Sequence, residues 1–170
     1  MIRRSALALG ALVAVVGLTS CSTLSSNDDV ASVNGHHLSQ DDVQRMLESE
    51  LGGQLLGGAP VDGVAAGQSV RALLSAWVVA TALTDTGVGA DVDRAQIEAD
   101  LAADPQLGDP FGAAPQQLRD LLIDSQVLRN ADPTLTTEDQ ILKVTSDADI
   151  DIDPRYGYWD GTTGYVVAFD

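Results

Sequence analysis

Positive charge is scarce in this sequence, and cysteine and aromatic residues are nearly absent. Among 170 residues, 9 Lys and Arg stand against 25 Asp and Glu, which gives a formal net charge of −16. Such a chain repels phosphate backbones, so its composition argues against nucleic-acid binding. It also has no Lys/Arg cluster that could hold anionic lipid headgroups.

Long hydrophobic runs are absent after residue 20, so the sequence predicts no transmembrane span. The one apolar run, Ala6 to Leu18, has 13 residues, which is too few to cross a bilayer. It follows the basic start Met1-Ile-Arg-Arg4 and precedes small residues, a pattern typical of a secretory signal. We therefore expect residues 1–20 to be removed on export. The remaining chain keeps 7 basic and 25 acidic residues, a net charge of −18.

The single cysteine, Cys21, directly follows this segment. An exported chain with one cysteine forms no internal disulfide, so its fold must rest on packing. The thiol is either free, buried or used for another purpose. Leu18-Thr-Ser-Cys21 resembles the bacterial lipobox, in which the cysteine carries a diacylglyceryl group and becomes the new N-terminus. We predict lipid attachment at Cys21, a flexible tether over residues 21–29, and a position on the outer face of the cell membrane.

The next part of the chain predicts a strand and a helix. Apolar and polar residues alternate over Val30 to Val33, and Asn34-Gly35 is a turn signal. Ser39 has the features of a helix N-cap followed by acidic residues. We expect this helix to end at Gly52-Gly53 and the Gly-rich stretch after it to form a loop. Its predicted apolar face comprises Val43, Met46, Leu47 and Leu51.

Further helices are predicted by apolar residues at helical spacing. The strongest covers residues 66–84, where Trp77 is expected to anchor the core and Gly87 to end the helix. A capping-box pattern from Asp93 to Gln96 predicts a helix over residues 93–103. The other predicted helices cover residues 114–130 and a short stretch after a cap at Thr136 or Thr137, with a Pro- and Gly-rich break over 105–112.

The C-terminal tail has strand character. Four aspartates alternate with apolar residues there: Asp147, Asp149, Asp151 and Asp153. This period of two would put their carboxylates on one solvated face. Asp160-Gly161 is a turn signal, and Tyr165 to Phe169 is strand-like. We predict a mostly α fold: a compact helical domain over residues 30–170 with a small antiparallel sheet of short N- and C-terminal strands.

No catalytic or metal motif accompanies these elements. The four aspartates miss the EF-hand register, so a solvated face is the favoured interpretation and a weak, non-specific cation site the alternative. His36 and His37 lack a third ligand for zinc, and we interpret them as surface residues. Gly-x-Ser-x-Gly, Gly-x-Gly-x-x-Gly and Walker sequences are absent. We predict no cofactor and no enzymatic activity.

Five of the seven aromatic residues follow Arg155, and the most distinctive stretch is Arg155-Tyr156-Gly-Tyr158-Trp159. They either form a stacking or peptide-contact surface or cap a core that has few other rings. We favour the core for Trp159. Adjacent residues of an extended chain point to opposite sides, so the rings cannot all be buried on one face. Tyr156 and Tyr158 are therefore the candidate peptide-binding residues.

Three passages resemble the SurA N-terminal domain family of export chaperones. They are Val30-Ala-Ser-Val-Asn-Gly-His-His-Leu-Ser-Gln-Asp-Asp42, the helix through Trp77 followed by Thr84-Asp-Thr-Gly-Val-Gly-Ala-Asp-Val-Asp93, and Asp151-Ile-Asp-Pro-Arg-Tyr-Gly-Tyr-Trp-Asp160. The last is similar to the ending of actinobacterial lipoprotein members. The resemblance implies binding of unfolded exported polypeptides. Larger relatives also carry a parvulin isomerase domain, for which the chain after Thr136 is too short, so we expect no isomerase activity.

The predicted function is that of a membrane-anchored extracytoplasmic lipoprotein that binds unfolded exported proteins without isomerising them. Clients would lie in an apolar groove between helices. The acidity of the chain would favour basic clients and make binding weaken with salt. The alternative is an adaptor lipoprotein that docks a single envelope partner. An exposed apolar groove would favour the first function, and a flat, polar surface the second.

Overall fold

The computed structural model describes residues 28–56, 64–131 and 138–169. Most of these residues are helical, and the strands are short and antiparallel, which confirms the predicted fold class. In chain order the elements are β1 (Asp29–Val33), β2 (His36–Ser39), α1 (Gln40–Glu48), α2 (Glu50–Leu55), α3 (Val64–Asp85), α4 (Arg94–Ala103), α5 (Gly108–Ala113), α6 (Gln116–Ala131), α7 (Glu138–Ser146), β3 (Ile150–Ile152), β4 (Tyr158–Asp160) and β5 (Tyr165–Val167).

Several predictions fall outside the described residues. These are the signal segment, lipid attachment at Cys21, the tether up to residue 27 and the caps at Thr136 or Thr137. The predicted tether reached residue 29, but Asp29 is the first residue of β1 and is buried. Within the described ranges, no helix is long and apolar enough to cross a membrane.

The N-terminal hairpin turns at Asn34-Gly35, as predicted. Asn34 has a φ of 50° and Gly35 a φ of 85°, a left-handed pair that closes a two-residue hairpin. The chain returns as β2, which the alternation pattern did not predict, because two histidines begin it. On its other side β1 pairs with β3, with Ala31 opposite Ile152. The N-terminal strand therefore does join a C-terminal strand.

The last two strands form a separate ribbon instead of extending this sheet. β4 pairs with β5, with Trp159 opposite Val166. Gly157 precedes the ribbon with a φ of 128°, and a Cβ there would lie 2.1 Å from the carbonyl oxygen of Val167. This left-handed turn redirects the chain, and β5 packs against α3. Of the C-terminal strands, β3 therefore joins the sheet with β1, whereas β4 and β5 pair with each other.

The first helix breaks at Ser49 and not at the two glycines. Ser49 has extended backbone, and its hydroxyl donates to the Met46 carbonyl at 2.7 Å while accepting from the Gly52 N–H at 3.0 Å. It therefore ends α1 and caps α2. A Cβ on Gly52 would lie 1.8 Å from the Met46 carbonyl oxygen, so glycine permits this tight junction. Gly52 and Gly53 lie inside α2, which corrects the predicted helix end.

The central helix is α3, which packs against β1, β5, α1, α6 and α7. Leu74 and Val78 are fully buried, whereas Trp77 is half-buried at the edge of the core. Positions 74 and 78 lie one turn apart and point into the packed side, and position 77 points toward its margin. Trp77 is therefore not the core anchor that its size suggested. The helix ends at Asp85, before Gly87, as predicted.

The predicted break over residues 105–112 contains the short helix α5. Asp104 accepts hydrogen bonds from the backbone N–H groups of Gln106 and Leu107 at 2.7 and 3.0 Å, which organises the turn before it. Pro110 lies in the first turn of α5, where a helix needs no N–H. The proline and glycine residues of this segment therefore do not prevent a short helix.

The four tail aspartates do not share one solvated face. Asp147 and Asp149 are exposed, but Asp153 is buried and accepts hydrogen bonds from Nη2 and Nε of Arg155 at 2.6 and 2.9 Å. The strand ends at Ile152, and the following turn at Pro154 brings Arg155 back over Asp153. The prediction of a common solvated face is therefore wrong for Asp153.

Candidate functional site

An apolar groove runs between α3 and α6 and is bordered by α7 and the turn between β4 and β5. Its volume is about 470 Å³, within the range typical of ligand sites. Its apolar walls include Ala72, Ala76, Val79, Leu83, Leu128 and Ile141. Ala72 and Ala76 are exposed, so the floor of the groove is open to solvent.

A smaller cavity extends this groove toward α2. It has a volume of about 150 Å³ and shares Ala72, Ala76 and Ser125 with the larger one. Its far end is lined by Leu55, which is 48 % exposed, and the opposite end of the groove is lined by Tyr165, which is 62 % exposed. Together the two cavities form one apolar path across the protein, from α2 to β5.

Small side chains on α3 keep this path open. Ala72, Ala76 and Ala80 recur at every fourth position and so lie on one side of the helix, and Ser125 of α6 lines the same cavity. Side chains this short do not fill the space between two helices. The spacing of the alanines is visible in the sequence. The opposing Ser125 could not have been found there, because only the tertiary structure sets which helix faces α3.

The hydroxyls in the groove are largely occupied. Ser75 donates to the Arg71 carbonyl at 2.7 Å and accepts from the Val166 N–H at 2.8 Å. Ser125 donates to the Leu121 carbonyl at 2.7 Å. Arg129 lines the groove from the last turn of α6, where a cation suits the helix dipole. The groove is therefore suited to apolar side chains of varied sequence, with few polar anchors.

The two predicted peptide-binding tyrosines lie outside the walls that the described residues form. Tyr156 is half-buried, and its ring centroid is 5.7 Å from the guanidinium carbon of Arg155. Tyr158 is 44 % exposed, and its ring centroid is 5.1 Å from that of Phe169. Tyr165, which the sequence did not single out, is the aromatic residue that lines the groove.

Each histidine faces one carboxylate. Nε2 of His36 is 3.1 Å from Oδ1 of Asp85, and Nδ1 of His37 is 3.1 Å from Oδ2 of Asp29. Both histidines are exposed, in line with their interpretation as surface residues. In the part of the chain that the structure describes, no group of three or more His, Cys, Asp or Glu side chains could hold a metal ion.

Two aspartates of the C-terminal tail have a pKa below the ordinary value. Side-chain hydrogen bonds from Arg155 lower the pKa of Asp153 against the opposing effect of its burial. The hydroxyl and backbone N–H of Thr162 lower the pKa of Asp160, with help from Thr163. Both groups are therefore ionised at neutral pH. A carboxyl group that served as a general acid would need the opposite shift.

Trp159 lies on the inner side of the ribbon and packs against the core, as predicted. Its indole N–H is buried and has no hydrogen-bond partner among the described residues. A buried donor without a partner lowers stability. The ring therefore contributes through apolar packing alone.

Comparison with protein-family models, with curated proteins and with solved structures finds no match to this chain.

Proposed function

We propose that this protein is a lipid-anchored, extracytoplasmic binding protein for unfolded exported polypeptides, and that it acts without enzymatic or isomerase activity. The observation that carries the proposal is the open apolar groove between α3 and α6, which continues to Leu55 at one end and Tyr165 at the other. Its polar groups are mostly bonded within the protein, so it can accept apolar segments without demanding one sequence. The resemblance to the SurA N-terminal domain family points to the same class of client.

The lipid anchor supports a position at the envelope, where exported chains emerge unfolded. A basic start, an apolar run and a lipobox-like ending at Cys21 agree on this placement. Replacing Cys21 by Ala should move the protein from the membrane fraction to the soluble fraction. Retention of C21A on membranes after a high-salt wash would contradict the anchor.

The groove is tested by filling it. Ala76 lies on the floor shared by both cavities, so Ala76→Trp should obstruct client binding. Ala99→Trp is the matched control, because Ala99 is an exposed alanine on α4, away from the groove. The measurement is suppression of the aggregation of an unfolding client, at low and moderate salt. We expect the native protein and A99W to suppress aggregation near stoichiometric ratios and A76W to lose this effect.

The adaptor function makes a different forecast in the same experiment. A protein that docks one envelope partner would not suppress aggregation even in excess, and A76W would behave like A99W. Clients with basic sequences should be held more strongly than acidic ones at low salt, because the exported chain keeps 7 basic and 25 acidic residues, a net charge of −18. Equal suppression of both at all salt concentrations would contradict the role assigned to acidity.

A further inference from the structure

The outer face of the β4–β5 ribbon carries most of the exposed apolar rings of the described chain. Of the four large apolar side chains that are exposed there, Tyr158 and Tyr165 lie on this ribbon and Phe169 lies two residues beyond it. The strand register sets Tyr158 opposite Val167 and Asp160 opposite Tyr165, so these side chains share one face. Trp159 and Val166 occupy the inner face, and Val166 is buried. The exposed rings therefore form one surface and are not scattered.

This outer face extends beyond the strands. Phe169 follows β5 by two residues and packs against Tyr158 in a tilted arrangement, with ring centroids 5.1 Å apart and planes at 36°. Phe169 is nevertheless 59 % exposed and Tyr158 44 % exposed. Tyrosine rings with an apolar body and a polar hydroxyl are typical of surfaces at the boundary between water and lipid.

The chain enters the described fold beside the start of this ribbon. The Asp28 carbonyl accepts a hydrogen bond from the Gln40 N–H at 2.7 Å, and the Gln40 side chain accepts one from Arg155 at 3.4 Å. The Arg155 guanidinium lies over the ring of Tyr156, two residues before β4 begins. Asp28 is thus joined to the ribbon through a short series of contacts.

The length of chain before Asp28 limits how far the protein can stand from an anchor. Cys21 precedes Asp28 by seven residues, which span at most about 25 Å when fully extended. With a lipid on Cys21, which rests on the proposed function, the entry side of the fold stays close to the bilayer. The start of β4 lies on that side.

The charge of the outer face is compatible with a position close to lipid headgroups. The 25 acidic residues disfavour approach to anionic headgroups in general. The strand residues of the outer face supply one carboxylate, Asp160, which is bonded to the hydroxyls of Thr162 and Thr163 at 2.7 and 3.0 Å. Headgroups therefore meet a face with aromatic rings and little charge.

We propose that the outer face of the β4–β5 ribbon lies in the headgroup region of the bilayer, with Tyr158, Tyr165 and Phe169 as its contacts. This interface would orient the protein on its anchor. Because Tyr165 also lines the groove, that end of the groove would open beside the membrane.

The test uses the full-length lipidated protein in vesicles of phosphatidylcholine with a minority of phosphatidylglycerol. Lipidation consumes Cys21, the single cysteine, so an introduced cysteine is the unique site for a nitroxide label. Gly161→Cys places the label at the ribbon tip and Gly112→Cys places it on α5, and a Cβ at either glycine meets no atom within 4 Å. Accessibility to oxygen, which concentrates in lipid, is compared with accessibility to a water-soluble nickel complex.

We expect the ratio of oxygen to nickel accessibility at Gly161 to rise by roughly threefold or more on vesicles, while that at Gly112 stays unchanged. Replacing Tyr158, Tyr165 and Phe169 by Ser in the same chain should abolish this rise without releasing the protein. Equal, water-like accessibility at both positions in vesicle-bound protein would overturn the inference and leave the anchor intact. Spin–spin broadening at Gly161 would overturn it in favour of a second copy on this face. Failure to sediment with vesicles would overturn the anchor, and the inference with it.

Discussion

The backbone N–H of Val166 in β5 donates a hydrogen bond to the hydroxyl of Ser75 in α3, at 2.8 Å, across 91 positions of sequence. The bond is buried, and it fixes the ribbon against the central helix beside the groove. The same hydroxyl donates to the Arg71 carbonyl at 2.7 Å. One small side chain on α3 therefore connects the groove wall to the proposed membrane-facing ribbon.

Replacing Ser75 by Ala should lower the free energy of unfolding by about 1–3 kcal/mol, because it leaves a buried N–H without a partner. Ser125→Ala is the control, since it also lines the groove but loses only a bond to its own helix. The measurement is urea unfolding monitored by circular dichroism. Equal losses for the two variants would contradict the special role of the Val166 bond.

Asn34 connects the hairpin turn to two other elements. Its amide donates to Asp85 at 2.9 Å and accepts from the Asp149 N–H at 2.9 Å, while its backbone has a φ of 50°. Asn34→Ala should lower the free energy of unfolding by about 1–3 kcal/mol, through the lost bonds and the left-handed conformation. Asn34→Gly should cost less, because glycine adopts this φ freely. If thermal unfolding showed both variants to be equally destabilised, the left-handed backbone at position 34 would contribute nothing to the loss of stability in Asn34→Ala.

The adjacent glycines of α2 should respond in opposite directions to the same substitution. A Cβ on Gly52 would lie 1.8 Å from the Met46 carbonyl oxygen, whereas one on Gly53 meets nothing within 4 Å. Gly52→Ala should destabilise the fold by more than about 2 kcal/mol. Gly53→Ala should stabilise it by roughly 0.5–1 kcal/mol, because alanine favours helix. Thermal melts of the two variants test this, and a stabilising G52A would contradict the tight junction at Ser49.

The Asp153–Arg155 pair should make the free energy of unfolding depend on pH. The pKa of Asp153 is lowered from 3.8 by hydrogen bonds from Arg155, so its contribution is present above that value and is lost as the pH falls through the lower, folded-state pKa. The free energy of unfolding of Arg155→Gln, measured by urea unfolding, should be lower than that of the native protein at neutral pH. This difference should disappear in strong acid. Lys143→Gln, an exposed change on α7, should show no such convergence. A gap for R155Q that stayed constant from neutral to acidic pH would contradict the linkage.

Local chemistry in the sequence determined the hairpin turn, the helix caps and the fold class. Asn34-Gly35 closes a tight turn because both residues tolerate positive φ, and Ser39 and Asp93 cap helices because their short side chains reach nearby N–H groups. Helical spacing of apolar residues located α3 and α6, and the capping pattern at Asp93 located α4. These features depend on neighbours within a few positions, which is why sequence patterns contain them.

Only the tertiary structure decided how these elements meet. The pairing of β1 with β3, the half-buried position of Trp77 and the separate ribbon each depend on groups far apart in the sequence, such as the Ser75 hydroxyl that accepts from the Val166 N–H. The groove likewise arises from small residues on α3 that face α6. Contacts between distant positions set its shape, and no local pattern encodes which surfaces will face each other.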